Sequence, residues 1–231
     1  MTPRQSKKEM LKTEDRFVSF WKRAYDYFNR YQNHILIGVL IVAAVWAGVW
    51  GWSKYRQRVE SLAWTAYEEI IMANSLPPQA TEVQKDRASG RMIQDLNQLI
   101  AERTRTKGAL QAHLKLASLI SEQGDFEAAI AHYQTFLDGL RADDPLRPIV
   151  AEALGRCFEA SGQYDLAAEW YRRVATAPNL ADLGLWDLGR VMELSGQRDE
   201  AIKTYLQLTA QHPQSAYASL VNNRLFELTQ R

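Results

Sequence analysis

Three segments of the 231-residue chain align on a glycine, and no other feature limits the fold as tightly. They read LISEQGDFEAAIAHYQTFL at Gly124, CFEASGQYDLAAEWYRRVA at Gly162 and VMELSGQRDEAIKTYLQLT at Gly196, with the glycines 38 and 34 residues apart. Eight and seven residues before each glycine stands a Leu-small pair: Leu116-Ala117, Leu154-Gly155 and Leu188-Gly189. An alanine follows each glycine by five (Ala129, Ala167, Ala201) and a tyrosine by nine (Tyr133, Tyr171, Tyr205). Glycine takes the left-handed conformation that ends one helix and turns the chain tightly into the next. Small residues let the two helices of a hairpin cross closely, and the tyrosine fills the wedge between hairpins. A period of this length means stacked helical hairpins, each covering the face its neighbour exposes.

These identities at this spacing resemble the tetratricopeptide pattern of 34 residues. The four extra residues between the first two repeats fall in DDPLRP, Asp143 to Pro148, a loop by composition. Phe126 and Tyr164 occupy the place of the usual aromatic, whereas the third repeat has Arg198 there. No convincing period-2 run occurs anywhere after residue 53. A helix is expected over about 84 to 104, after the break SLPPQATEV with Pro77 and Pro78, and Gly108 marks the next boundary. Beyond Pro213, the helix Ser215 to Gln230 is expected to cover the end of the array.

Residues 35–52, ILIGVLIVAAVWAGVWGW, carry no charge and no strongly polar side chain. At about 1.5 Å per residue, a helix from Ile35 to Tyr55 crosses a hydrocarbon core of roughly 30 Å. Tyr27, Phe28 and Tyr31 precede it and Trp50, Trp52 and Tyr55 end it, the distribution of interfacial anchors. Because 34 residues come first and Trp46, Trp50 and Trp52 sit where a small-residue cleavage site belongs, a cleaved signal peptide is not expected. The mean hydropathy of the whole chain is negative, which excludes a polytopic membrane protein. With only 12 Gly, 7 Pro and 1 Cys, collagen-like, low-complexity and disulfide-framework classes are excluded too.

Residues 1–34 hold eight basic against four acidic side chains, whereas residues 53–231 hold 20 against 23. The positive-inside rule then keeps the N-terminus in the cytoplasm and exports the C-terminal part, although Lys54, Arg56 and Arg58 oppose it. Residues 1–14 are polar and expected to be disordered. From there Phe17, Trp21, Ala24, Phe28 and Tyr31 form a helical stripe, which fits either a helix lying in the interface or an extension of the transmembrane helix. After the span, residues 53–73 either extend the helix or restart it. Within it Ala43, Ala44, Ala47, Gly48 and Gly51 leave one face nearly free of side chains, a candidate seam for a partner helix.

Enzyme chemistry has no foothold in the sequence. His34, His113, His132 and His212 are isolated, and no HExxH, CxxC, P-loop or GxSxG motif occurs. No cofactor or metal is therefore expected, and no small-molecule substrate. Cys157, the only cysteine, reads as a buried small hydrophobe. The acidic balance of the exported part disfavours nucleic acid.

A binding surface remains. The tetratricopeptide resemblance implies that positions two, five, nine and twelve of each first helix line a groove. They are Gln111, Leu114, Ser118 and Ser121, then Ile149, Glu152, Arg156 and Glu159, then Leu183, Trp186, Arg190 and Glu193. Trp186 reads either as an interface anchor or as a side chain packed between hairpins. Arg156-Glu159 and Arg190-Glu193 read either as groove features or as i, i+3 surface pairs worth a few tenths of a kcal/mol. Domains of this type that clamp a terminal carboxylate need Lys at the fifth and Asn at the ninth position, so a clamp is not expected here.

The layout as a whole, with GALQAHLKLASLISEQGDFEAAI opening the repeats, resembles the YfgM-type ancillary subunits of the bacterial Sec translocon. That resemblance implies an inner-membrane protein near the translocation channel that meets exported chains and periplasmic chaperones. The expected fold is all-α, one transmembrane helix followed by a tetratricopeptide solenoid. Its parts are a cytoplasmic tail with a juxtamembrane helix (1–34), the membrane span (35–55), a degenerate helical pair (56–107), three repeats (108–215) and a capping helix (216–231). The alternative job for the same architecture is a structural or assembly subunit of another inner-membrane complex, of respiratory or cytochrome-maturation type.

Overall fold

The computed structural model describes residues 7–230. The described residues form α1 (Lys7–Ala73), α2 (Glu82–Glu102), α3 (Lys107–Glu122), α4 (Phe126–Gly139), α5 (Arg147–Ala160), α6 (Tyr164–Ala175), α7 (Ala181–Leu194), α8 (Arg198–Gln211) and α9 (Ala218–Thr229), and no strand. They divide into two compact units, one ending at Arg58 and one beginning at Val59.

In the first unit α1 is unbroken. Of the tail expected to be disordered, residues 1–6 lie outside the described residues, while residues 7–14 are helical. Their run of Lys, Glu, Met and Leu, free of Gly and Pro, favours that state. Neither residue 34 nor residue 55 interrupts the helix, so the flanking segments extend the apolar one. Every described side chain from residue 36 to residue 58 is exposed, and the stretch Leu36–Ala73 contains a window long and apolar enough, by length and composition, to cross a membrane.

In the second unit the helices pack chiefly on their sequence neighbours: α3 on α4, α5 on α6, α7 on α8, with α4 on α5, α6 on α7 and α8 on α9 joining the pairs. One core runs through these pairs and completely buries Leu154, Tyr171, Val191, Tyr205, Leu208 and Val221. A second is built from Met92, Leu96 and Leu99 of α2 and Leu116 of α3, with Tyr67, Ile70 and Ile71 from the end of α1 against it. There α3 crosses α1 at backbone contact, since a Cβ on Gly108 would lie 2.5 Å from the Ala63 carbonyl oxygen.

The three turns share one construction. Gly124, Gly162 and Gly196 have φ of 86°, 76° and 78°, the left-handed region. After each, the next amide reaches back to the same carbonyl, as Gln163 to Phe158 and Gln197 to Met192, both at 2.8 Å. This is the Schellman end of a helix, and it sets α3, α5 and α7 antiparallel to their partners. In the second and third hairpins the tyrosine ring then lies over the small residue: a Cβ on Gly155 would come within 2.6 Å of Tyr171, and one on Gly189 within 2.3 Å of Tyr205. Arg198, which breaks the aromatic pattern, donates to the Leu228 carbonyl and so ties α8 to α9.

Candidate protein-binding face

The predicted groove residues lie on α3, α5 and α7, the first helices of the three hairpins. Arg190 and Glu193 pair with other elements of the array, whereas Arg156 pairs within its own helix. Arg190 donates through Nη1 to Glu159 of the preceding hairpin and through Nη2 to Asp187 at 2.9 Å. Glu193 accepts from Arg224 of α9, Nη2 at 2.7 Å and Nε at 3.2 Å. Neither i, i+3 pair forms, because long helical side chains lean toward the N-terminus. Arg190 thus reaches back to Asp187, and Arg156 back to Glu152, at 3.3 Å.

Each glutamate has a second donor inside its own hairpin. Tyr171 bonds Glu159 at 2.7 Å, and Tyr205 bonds Glu193 at 2.5 Å. Burial, helped by those carboxylates, raises both tyrosines above their ordinary range, so they remain donors. For Arg190 burial pulls the pKa down, but the bonds to Asp187 and Glu159 outweigh it and hold the guanidinium above its usual value. Burial likewise raises Glu152 and Asp187, opposed by Arg156 and Arg190 respectively. Asp187 is only 4% exposed; its Oδ1 accepts from Arg190, whereas Oδ2 has no partner among the described residues.

The apolar members are graded. Leu114 and Leu183 are half-buried, and Ile149 is 52% exposed. Trp186 is half-buried and packed: its ring stacks on Tyr217 with centroids 5.8 Å apart and planes at 10°, and lies 5.8 Å from Tyr205. Cys157 is buried, with Sγ 3.5 Å from Ser121 Oγ and its thiol raised by burial. Ala43, Ala44, Ala47, Gly48 and Gly51 are exposed along α1. Among the described residues no cluster of His, Cys, Asp and Glu could hold a metal ion.

Sequence reading missed Asp187, Arg224 and the roles of Tyr171 and Tyr205. A signal was present: Arg156, Arg190 and Arg224 are spaced by 34, as are Glu159, Glu193 and Glu227. It also missed that two histidines isolated in sequence meet, His113 Nδ1 lying 2.8 Å from His132 Nδ1 across the first hairpin.

Comparison with known proteins agrees with this geometry. Over 95 residues the chain is 25% identical to lipopolysaccharide assembly protein B of Escherichia coli K12, a match covering 41% of this chain and 24% of that protein. In fold it is similar to the MamA protein, with a TM-score of 0.53 at 15% identity over 71% of this chain and 83% of that one. It is similar also to nearly identical TPR-like repeats from Podosopora anserina, with a TM-score of 0.50 at 18% identity over 72% and 89%. Residues 25–230 match the family described as tetratricopeptide repeat-like domain. With its turns, tyrosines and stacked hairpins built as that repeat requires, the chain belongs to the tetratricopeptide repeat-like domain family.

Proposed function

We propose that the chain is a non-enzymatic scaffold, anchored by α1 in a bacterial inner membrane, whose periplasmic hairpin array holds other proteins as an accessory or chaperone-linked subunit of the Sec export machinery. The observation that carries the reading is the joining, in one chain, of an exposed apolar helix to a repeat array of a protein-binding family. The layout resembles YfgM-type subunits, and the basic tail supports a cytoplasmic N-terminus. The partly exposed Leu114, Ile149 and Leu183 beside Glu152 and Arg156 offer an array partner both apolar and charged contacts. The small-residue face of α1 offers a membrane partner close approach.

The test is purification of the full chain in mild detergent, with protease accessibility measured in intact spheroplasts. Stoichiometric recovery of translocon subunits and periplasmic chaperones, with the array digested from outside, is the expected outcome. Protection of the array until lysis overturns the orientation. A second reading, an assembly subunit of another inner-membrane complex, is favoured by the partial match to lipopolysaccharide assembly protein B. Recovery of that kind of assembly, without the translocon, selects it.

A further inference from the structure

The first hairpin lacks the carboxylate that organises the other two. Glu159 accepts from Tyr171 of its own hairpin and Arg190 of the next, and Glu193 from Tyr205 and Arg224. Tyr133 and Arg156 hold the same two positions around the first hairpin, but Ser121 stands where the glutamate belongs. The contact between Cys157 and Ser121 shows that α5 runs beside Ser121 as α7 runs beside Glu159.

Neither donor therefore has the shared carboxylate that its counterparts have. Tyr133 is only 6% exposed and its hydroxyl has no hydrogen-bond partner among the described residues, but that oxygen is not sealed from solvent, so an incoming group can reach it. Burial first, and Cys157 second, push its pKa up to about 12, so it is a donor at neutral pH. The Arg156 side chain is 66% exposed, against 34% for Arg190, and its ion pair is the 3.3 Å contact with Glu152 on its own helix.

We propose that this face takes an aspartate or glutamate side chain from an extended segment of another protein, its carboxylate accepting from the Tyr133 hydroxyl and the Arg156 guanidinium as Glu159 and Glu193 do from their donors. The inference rests on the reading that the array holds other proteins, and names what it recognises in them. Leu114 on α3 and the exposed Ile149 on α5 lie about two helical turns before Ser121 and Arg156 on the same helices, so apolar residues near the acid fit best. A terminal carboxylate is a different ligand, for which Leu114 and Ser118 replace the clamp residues.

The test uses the full chain in nanodiscs and fluorescence anisotropy of three short labelled peptides. One, capped at both ends, carries a single glutamate between leucines; its capped twin has glutamine; the third is the glutamine peptide with a free C-terminus. The glutamate peptide binds about tenfold more tightly than its capped twin, a factor suited to one charge-assisted carboxylate contact. Arg156→Gln removes that difference. Ser121→Glu removes it as well and raises Tm, because the chain then supplies its own carboxylate. Equal binding of glutamate and glutamine peptides leaves the scaffold reading standing and overturns this site. So does discrimination that survives Arg156→Gln, or tighter binding of the free C-terminus than of the glutamate. Absence of binding by all three overturns both readings.

Discussion

Arg190 and Glu159 stand 31 positions apart in the chain and form an ion pair across the seam between two hairpins. The carboxylate is mostly buried and also accepts from Tyr171, so its loss leaves the hydroxyl without its acceptor and Arg190 with Asp187 alone. Glu159→Ala is expected to destabilise the array by about 2–4 kcal/mol, between the range of exposed pairs and that of buried ones. Arg156→Gln, which removes a mostly exposed guanidinium from the half-buried Glu152, is expected to cost less, about 1 kcal/mol. Urea unfolding of both variants against the parent checks the contrast, and equal losses would sink it.

Trp186 is held between Tyr217 and Tyr205, so its main work is to fasten α9 to the last hairpin. Trp186→Ala is expected to cost about 2–4 kcal/mol. Near-ultraviolet circular dichroism should lose aromatic signal and Tm should fall. An unchanged Tm would return Trp186 to the role of a free contact residue.

The turn glycines and the small-tyrosine pairs were legible in the sequence because each acts over a short stretch of its own hairpin. The cross-hairpin pairs were not. On paper Glu193 is as good a partner for Arg190 as Glu159 is, and only the stacking of α7 beside α5, with the lean of a helical side chain, decides between them. Trp186 was open for the same reason, since Tyr217 arrives from beyond the repeat. The protein-binding role of these positions stays a proposal, because the repeat encodes a shape and leaves its occupant open.

His113 and His132 contribute a pH dependence. Burial lowers both pKa values, and on His113 the charge of His132 adds to the effect. Their Nδ1···Nδ1 contact needs one protonated and one bare nitrogen, so the two rings cannot both be charged while it is formed, and burial favours the neutral form of each. The stability it confers is complete above the ordinary value of 6.5 and is lost as pH falls through the lowered values. Melting between about pH 7.5 and about pH 5 should therefore lower Tm more for the parent than for the His113→Gln/His132→Gln double variant. Parallel profiles would refute the coupling.

Asp187 works with the opposite sign. Burial raises its pKa above 3.8 in the fold, so between 3.8 and the raised value the folded state binds the extra proton. Stability then falls as pH rises through that window, and a penalty persists above it. Asp187→Asn removes the charge while leaving Arg190 an amide oxygen. Relative to the parent, this variant should gain stability as pH increases from about 4 to about 7. A difference independent of pH would show that Asp187 stays ionised throughout.

Ser121 leaves a parting line in the array. From α5 to α9 each seam is closed by a carboxylate shared between two hairpins, so neither side opens without stranding charge on the other. Amide hydrogens in α5 to α8 are accordingly expected to exchange as one cooperative block. Between α3 and α5 the corresponding junction holds a serine against a thiol, a much weaker clasp. The first hairpin is therefore expected to open at lower free energy than the hairpins that follow it.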